Sequence, residues 1–268
     1  MEPIYVSSPD NSLLKEYIKL HSNKRYRQKT KQIALEGPNL VTEAHRAGLT
    51  PRAVFYTEEY YDRVGKIWLD SLPSGVKKLI LSPRLFNKIA KTESPQPVAA
   101  IFHFSEWEED QKDLAVGTQL VIILDHLQDP GNMGTIIRTA AAAGAGITYY
   151  TSGSVDPYSP KVLRATAGTV FNLQLKQVRD SLKLCANLKD SGFQVVASCA
   201  DSSVHYWSVD YRKPTALLVG NEAGGIAKEL STEADQRVSI PLSGPVESLN
   251  AAVACGIIIY EIIRQRSV

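Results

Sequence analysis

The run Gln119-Leu120-Val121-Ile122-Ile123-Leu124 is apolar from its second residue to its last and shows no alternation. A strand with one face in water alternates polar and apolar residues. A run without alternation belongs to a strand covered on both faces, as in a parallel sheet sandwiched between helices. The residues around it predict that architecture. Helical patterning covers Asn132 to Ala143, Ser181 to Lys189 and a long stretch from about Ser248 to Arg264. Strand patterning covers Ile147 to Tyr150, Phe193 to Ala197, Ala216 to Val219 and Val238 to Ile240. Strands alternating with helices in this way predict an α/β domain with a parallel sheet.

The first hundred residues carry weaker signals of the same kind. Helices are expected at 13–21, at Pro38 to Ala47 (Pro in the first turn, Gly48 past the end), at Glu58 to Leu72 and at Pro83 to Ala90. Strands are expected at Gln32 to Glu36, closing on Gly37, at Ala53 to Tyr56, at Lys78 to Leu81 and along Val98 to Phe104. This pattern predicts a small α/β sandwich. Ser105 to Gly117 is acidic and polar without periodicity and reads as a linker. The expected organisation is a smaller N-terminal α/β domain over 1–105, a linker over 106–117 and a parallel-sheet domain over 118–268, two domains of ordinary size.

A net charge of +2 excludes a polycation, but the charge is uneven. Lys24, Arg25, Arg27, Lys29 and Lys31 surround Tyr26, a grouping that suits phosphate contacts with stacking more than the alternative of a solvated helix face. Met1 to Ser12 has neither a basic n-region nor an apolar core, so no secretory signal is expected; two acids and no Arg also argue against a transit peptide. The late apolar run Gly256 to Ile263 is interrupted by Glu261 and is too short to span a bilayer. No membrane partner is expected, and the chain is expected to be cytoplasmic, with bacterial cytoplasm and an organelle matrix both fitting. Cys185, Cys199 and Cys255 are odd in number and lack metal spacing, so they read as small buried residues in a reducing compartment, with no metal site.

Three loops carry the candidate chemistry. The first, Leu124 to Arg138, follows the buried strand and opens a helix, the place where α/β sheets bind ligands. Asn132 lies at the helix start. Arg138 is six residues further on, facing roughly away from Asn132, within an apolar helix where a buried charge would need a partner. It reads as an ion pair, a snorkelling side chain or a site residue. His126 is the histidine near the loops and reads more readily as a hydrogen-bonding neighbour than as a base. The second loop is Gly220-Asn221-Glu222-Ala223-Gly224-Gly225, whose glycines let backbone approach a ligand closely. Glu222 is either a helix-start acid or a group that holds an amine or hydroxyl. The third is Ile240-Pro241-Leu242 through Ser248-Leu249-Asn250, where Ser and Asn stand at the start of the last helix as caps or as one wall of a site. The glycine pattern is not that of a dinucleotide fold, which argues against a nicotinamide-dependent oxidoreductase.

In this order and near this spacing, the three loops resemble the three signature motifs of the SpoU/TrmH family of S-adenosylmethionine-dependent RNA 2′-O-ribose methyltransferases, within the SPOUT superfamily. The first motif is matched by Asp129-Pro130-Gly131-Asn132-Met133-Gly134 with Arg138, the second by Gly220 to Gly225, the third by Ile240 to Leu242 and Ser248 to Asn250. The stretch Asp156 to Gly168 is similar to a family segment between the first two, and the basic stretch running into Ala34-Leu35-Glu36-Gly37 resembles the family's RNA substrate-binding domain. The resemblance implies a deep trefoil knot in the C-terminal domain, a topology that no periodicity would suggest. It implies S-adenosylmethionine held in that knot by Gly220, Asn221, Ile240, Leu242 and Leu249. It implies a homodimer through the knot helices, with which the apolar final helix agrees. Carried over by motif, Arg138 is the group that acts on the ribose hydroxyl, with Asn132, Glu222, Ser248 and Asn250 positioning it and the substrates. RNA is expected on Lys24, Arg25, Arg27, Lys29 and Lys31. Large-subunit ribosomal RNA is the favoured substrate, ahead of transfer RNA or of a non-catalytic role in ribosome assembly.

Overall fold

The computed structural model describes residues 3–89, 96–104 and 117–267. The acidic run expected to form the linker lies outside the described residues. The chain divides into two compact units, 1–106 with 158–171, and 107–157 with 172–268. The segment 158–171, expected in the second domain, groups instead with the first unit.

The first unit runs β1 (Ile4–Val6), α1 (Ser12–Ser22), α2 (Lys24–Thr30), β2 (Gln32–Glu36), α3 (Pro38–Arg46), β3 (Pro51–Tyr56), α4 (Glu58–Tyr60), α5 (Lys66–Ser71), β4 (Lys77–Leu81), α6 (Pro83–Ile89) and β5 (Val98–His103). Its sheet has the order β1-β4-β3-β5-β2. β1 and β3 pair parallel with β4, whereas β5 runs antiparallel to β3 and β2. Leu14, Tyr17 and Leu20 of α1 close over Phe55, Leu79 and Phe86 to form the core. The helix expected over 58–72 is a continuous stretch with a π turn at Tyr61–Gly65. A Cβ at Gly65 would lie 2.6 Å from the Tyr60 ring, so glycine makes room for that ring. Tyr158 to Phe171 adds a helix, Pro160–Thr166, to this unit. The Tyr158 ring stacks obliquely on Phe104 at 4.3 Å, and a Cβ at Gly168 would come 2.7 Å from that of Glu43.

The second unit continues with β6 (Leu120–Leu124), α7 (Pro130–Ala142), β7 (Ile147–Thr151), β8 (Gln174–Val178), α9 (Ser181–Asp190), β9 (Gln194–Ser198), β10 (Thr215–Val219), α10 (Lys228–Thr232), β11 (Gln236–Val238) and α11 (Ala251–Arg266); the Pro160–Thr166 helix is α8. Its six-stranded sheet has the order β11-β9-β10-β6-β7-β8 and is parallel throughout. Every residue of β6 is buried, as its unbroken apolar run requires. From β6 the chain steps outward through β7 and β8, crosses back to β9, and then inserts β10 between β9 and β6. This return places the strand ends bearing the first two loops side by side. β11 ends two residues earlier than expected, and Ser239 leaves the sheet edge to donate its N–H to Val204 O at 2.8 Å.

Cys185 and Cys255 are buried, as expected. Cys199 departs from the expectation: it is half-buried, and its Sγ lies 3.6 Å from Ser231 Oγ, a polar setting. Among the described residues no helix is long and apolar enough to cross a membrane, and no cluster of His, Cys, Asp or Glu is placed to hold a metal.

Candidate functional site

Two parallel strands in register set the site. Leu124 of β6 pairs with Val219 of β10, so the chain emerges from both at one level. Asp125 N–H continues the ladder to Val219 O at 2.8 Å. Asp129 then caps α7, its Oδ1 accepting the Asn132 N–H at 2.7 Å, while Pro130 occupies the first helical position. This cap fixes Asn132 at the helix start and buries it.

Asn132 is the middle of a side-chain relay across all three loops. Its Nδ2 donates to Glu222 Oε1 at 2.7 Å, and its Oδ1 accepts from Asn250 Nδ2 at 2.8 Å. Asn250 is also the N-cap of α11, with Oδ1 accepting from Ala252 N–H at 2.9 Å. The relay joins positions 90 and 118 residues apart in the chain. It uses a carboxylate that only accepts, an amide that does both, and an amide that donates, so each partner fixes the orientation of the next.

The second loop is a tight hairpin. Asn221 and Gly225 exchange backbone hydrogen bonds at 2.9 Å in each direction. Asn221 Oδ1 accepts from Ala223 N–H at 2.7 Å, and its Nδ2 donates to His126 O at 2.8 Å. Gly220 enters this hairpin so closely that a Cβ there would lie 2.2 Å from Gly225 C. Glu222 sits in the hairpin and α10 begins only at Lys228, so Glu222 is not a helix-start acid. The third loop runs exposed from Pro241 to Ser248 before Asn250 starts α11.

A cavity of about 500 Å³ opens at these loops. Of the residues singled out in the sequence, Gly220, Asn221, Glu222, Ile240, Leu242, Ser248, Leu249 and Asn250 line it. Asn132 stands behind the wall through its two hydrogen bonds. Cys199 and Ser239 also line it and escape a reading of the sequence, because their contribution depends on β9 lying beside β10. A further residue of this kind is Asp125, buried at the end of β6. Its Oδ2 accepts from Ala227 N–H at 2.9 Å, and its Oδ1 accepts from Thr151 Oγ1 at 3.2 Å and faces His126 Nδ1 at 2.8 Å.

Arg138 does not line the cavity, and it does not carry the desolvation problem expected of it. It is exposed on α7, on the stripe of Gly131, Thr135 and Ala142, and it makes no ion pair or hydrogen bond among the described residues. The stripe follows from the 3.6-residue period, which turns Arg138 outward while Asn132 turns in.

The basic cluster forms helix α2 in the first unit, with Lys24, Arg25 and Lys29 exposed and Lys31 exposed just past its end. Two expectations for this cluster are corrected. Arg27 is buried, and its guanidinium donates to Leu20 O and, at 3.4 Å, to His21 O, which satisfies carbonyls left open at the end of α1. Tyr26 packs against the core and carries Lys19 Nζ 4.1 Å above its ring, so that face is taken and not free for stacking.

Comparison with known proteins agrees with this geometry. Residues 119–260 match the SpoU rRNA Methylase family, and residues 11–100 match the MRM3-like substrate binding domain. The 23S rRNA (guanosine(2553)-2′-O)-methyltransferase RlmP of Bacillus subtilis is 32% identical over 96% of this chain and 98% of its own. An uncharacterized tRNA/rRNA methyltransferase of Synechocystis is 31% identical over 97% of this chain and 94% of its own. Among solved structures, an AdoMet-bound rRNA methyltransferase from Sinorhizobium meliloti superposes with a TM-score of 0.85 at 32% identity, covering 97% of both chains. The SpoU methyltransferase AviRb of Streptomyces viridochromogenes, in complex with AdoMet, superposes with a TM-score of 0.86 at 26% identity, over 96% of this chain and 98% of that one.

Proposed function

The chain belongs to the SpoU rRNA methylase family, and from that premise we propose that it methylates a ribose 2′-hydroxyl of RNA with S-adenosylmethionine as methyl donor. The observation that carries this reading is the Asn250–Asn132–Glu222 relay, which locks three distant loops around one cavity. The residues present fit the cofactor. Gly220 provides backbone where no Cβ has space, Asn221 holds the hairpin, and Ile240, Leu242 and Leu249 supply apolar wall. When bound, S-adenosylmethionine supplies an electrophilic methyl group.

The chain's own groups then have to position and activate a poor nucleophile. A guanidinium stays protonated in proteins, so Arg138 is not the base; it acts as a positive field that stabilises the developing alkoxide. Glu222, Asn132, Ser248 and Asn250 fix the loops and orient the ribose. In-line placement of both reactants is worth ~7–11 kcal/mol of the barrier. Exposed Lys24, Arg25, Lys29 and Lys31 supply phosphate contacts. Similarity to RlmP favours large-subunit ribosomal RNA over transfer RNA. We also read the segment from Ser239 to Asn250 as the closing part of a trefoil knot, and the chain as a homodimer. Exposed Val253 and Tyr260 on α11 support the dimer. Reduced, buried Cys185 and Cys255 suit the cytoplasm.

The test is methyl transfer from labelled S-adenosylmethionine to ribosomal RNA, with the product mapped as a 2′-O-methyl nucleotide. Arg138→Ala lowers turnover by ~10²–10³-fold or more and leaves cofactor binding intact. Retained turnover would remove Arg138 from the mechanism, and absence of transfer by the wild type would remove the reading.

A further inference from the structure

His126 holds φ +52°, a left-handed conformation uncommon for any residue with a side chain. Its backbone has a duty there: His126 O accepts from Asn221 Nδ2 at 2.8 Å, and its N–H donates to Thr151 Oγ1 at 2.8 Å. Glycine would perform that duty without strain. The imidazole therefore needs an explanation of its own, and the structure holds it in place. Asp125 is buried and only accepts, so the Nδ1 that faces it at 2.8 Å carries the proton. Gly153, itself at φ +95°, leaves the space that the ring fills; a Cβ there would lie 2.8 Å from His126 Cδ2. The side chain is nevertheless 54% exposed, and Nε2 has no hydrogen-bond partner among the described residues. A fixed ring with one committed and one open nitrogen, on the loop that carries Asn132, is built to meet something outside the chain.

We propose that His126 is a substrate contact, its Nε2 accepting a hydrogen bond from a ribose hydroxyl of the RNA beside the acceptor nucleotide. This deepens the methyltransferase reading and rests on it. With its proton on Nδ1 the ring offers an accepting lone pair at Nε2, and the ribose 2′-hydroxyl is the group that can donate to it without a base being read.

His126→Gly and His126→Asn both keep the left-handed backbone and remove the imidazole. The Kd for S-adenosylmethionine stays at its wild-type value, and the melting temperature falls by a few degrees because buried Asp125 loses a donor. The KM for RNA and the Kd from filter binding rise roughly tenfold, as for loss of one strong hydrogen bond, and kcat changes little. Unchanged RNA affinity overturns the proposal. So does a parallel loss of cofactor affinity, which would mean that the ring acts only through the Asn221 hairpin. If the wild type binds RNA but transfers no methyl group, the enzymatic reading fails while the filter-binding comparison still decides His126. If it binds no RNA, both fall. RNA carrying 2′-deoxy nucleotides beside the acceptor tests the atom touched: the His126→Gly penalty vanishes on that RNA, and a penalty that persists overturns the hydroxyl contact.

Discussion

Gly220→Ala tests whether the second loop shapes the cofactor cavity. The added Cβ would lie 2.2 Å from Gly225 C and 2.4 Å from both Gly225 O and Ile226 N, where ordinary contact begins at 3.4 Å. All three atoms are backbone, so no rotamer change relieves the clash, and one side of the hairpin must withdraw by about 1 Å. Overpacking of this kind costs ~1–3 kcal/mol. The withdrawal also breaks one of the paired Asn221–Gly225 hydrogen bonds, worth ~1 kcal/mol. The total of ~2–4 kcal/mol divides between two readouts. Strain kept in the free protein lowers the melting temperature by several degrees. Strain relieved by moving the loop appears in binding, and each ~1.4 kcal/mol weakens the Kd for S-adenosylmethionine tenfold. Titration calorimetry and thermal denaturation on the same samples measure both. Gly224→Ala is the control, since a Cβ there meets nothing within 4 Å. Wild-type Kd and melting temperature in Gly220→Ala exclude this role for the close approach, as does equal damage from Gly224→Ala.

Replacing Lys24, Arg25 and Lys29 together by Ala flattens the salt dependence of RNA binding, by up to roughly 0.7–0.9 in log–log slope for each phosphate no longer neutralised. Arg27→Ala lowers the melting temperature instead, because Leu20 O loses a donor; a salt slope changed by Arg27→Ala alone would reverse that assignment. Burial pushes the Cys185 thiol up to about 11 and the Cys255 thiol up to about 12. These raised values favour the folded state below pH ~9, and the advantage is lost as pH climbs through them. At pH ~8, below all of these values, a thiol reagent therefore labels Cys199 alone. S-adenosylmethionine slows that labelling, and labelling of Cys255 in folded protein contradicts the burial. Val253→Asp yields a monomer in light scattering if α11 forms the dimer face, and an unchanged particle mass excludes that face.

The strands between two helical layers are the most legible part of the fold. β6, β7, β9 and β10 advertise themselves by apolar runs, and their limits match the expected ones to within a residue or two. β1, three residues at a sheet edge, and β8, with the polar sequence Gln-Leu-Lys-Gln-Val, carry too few apolar residues to show a period. The Pro160–Thr166 helix gives no clear signal because seven residues make less than two full turns. The loops are legible as loops because Gly, Pro and Asn interrupt strands and helices, and only the motif resemblance singles them out as candidate sites. Their convergence is not: it depends on β10 inserting between β9 and β6, an order that no local pattern encodes. Arg27 departs from expectation for a related reason. A cation in a basic run looks solvated until the turn at Asn23 folds α2 back onto the open carbonyls of α1.

Arg138 joins the catalytic proposal to the proposed dimer. On α7 the outward stripe is Gly131, Thr135, Arg138 and Ala142, and on α11, which packs against α7, exposed Val253, Tyr260 and Arg264 follow the same spacing. A guanidinium fully in water is a weak electrostatic catalyst, because solvent of high dielectric screens its field. The same group at a subunit seam loses that screening, and its field strengthens severalfold without any change in its own conformation. In the proposed dimer, small Gly131 and Ala142 at the ends of the stripe would permit a second helix to approach closely, and exposed Val253 and Tyr260 would gain the apolar burial that drives it. An exposed Arg138, turned outward from the Asn250–Asn132–Glu222 relay on the same helix, is thus what the proposed dimer requires if its catalytic field is completed by association.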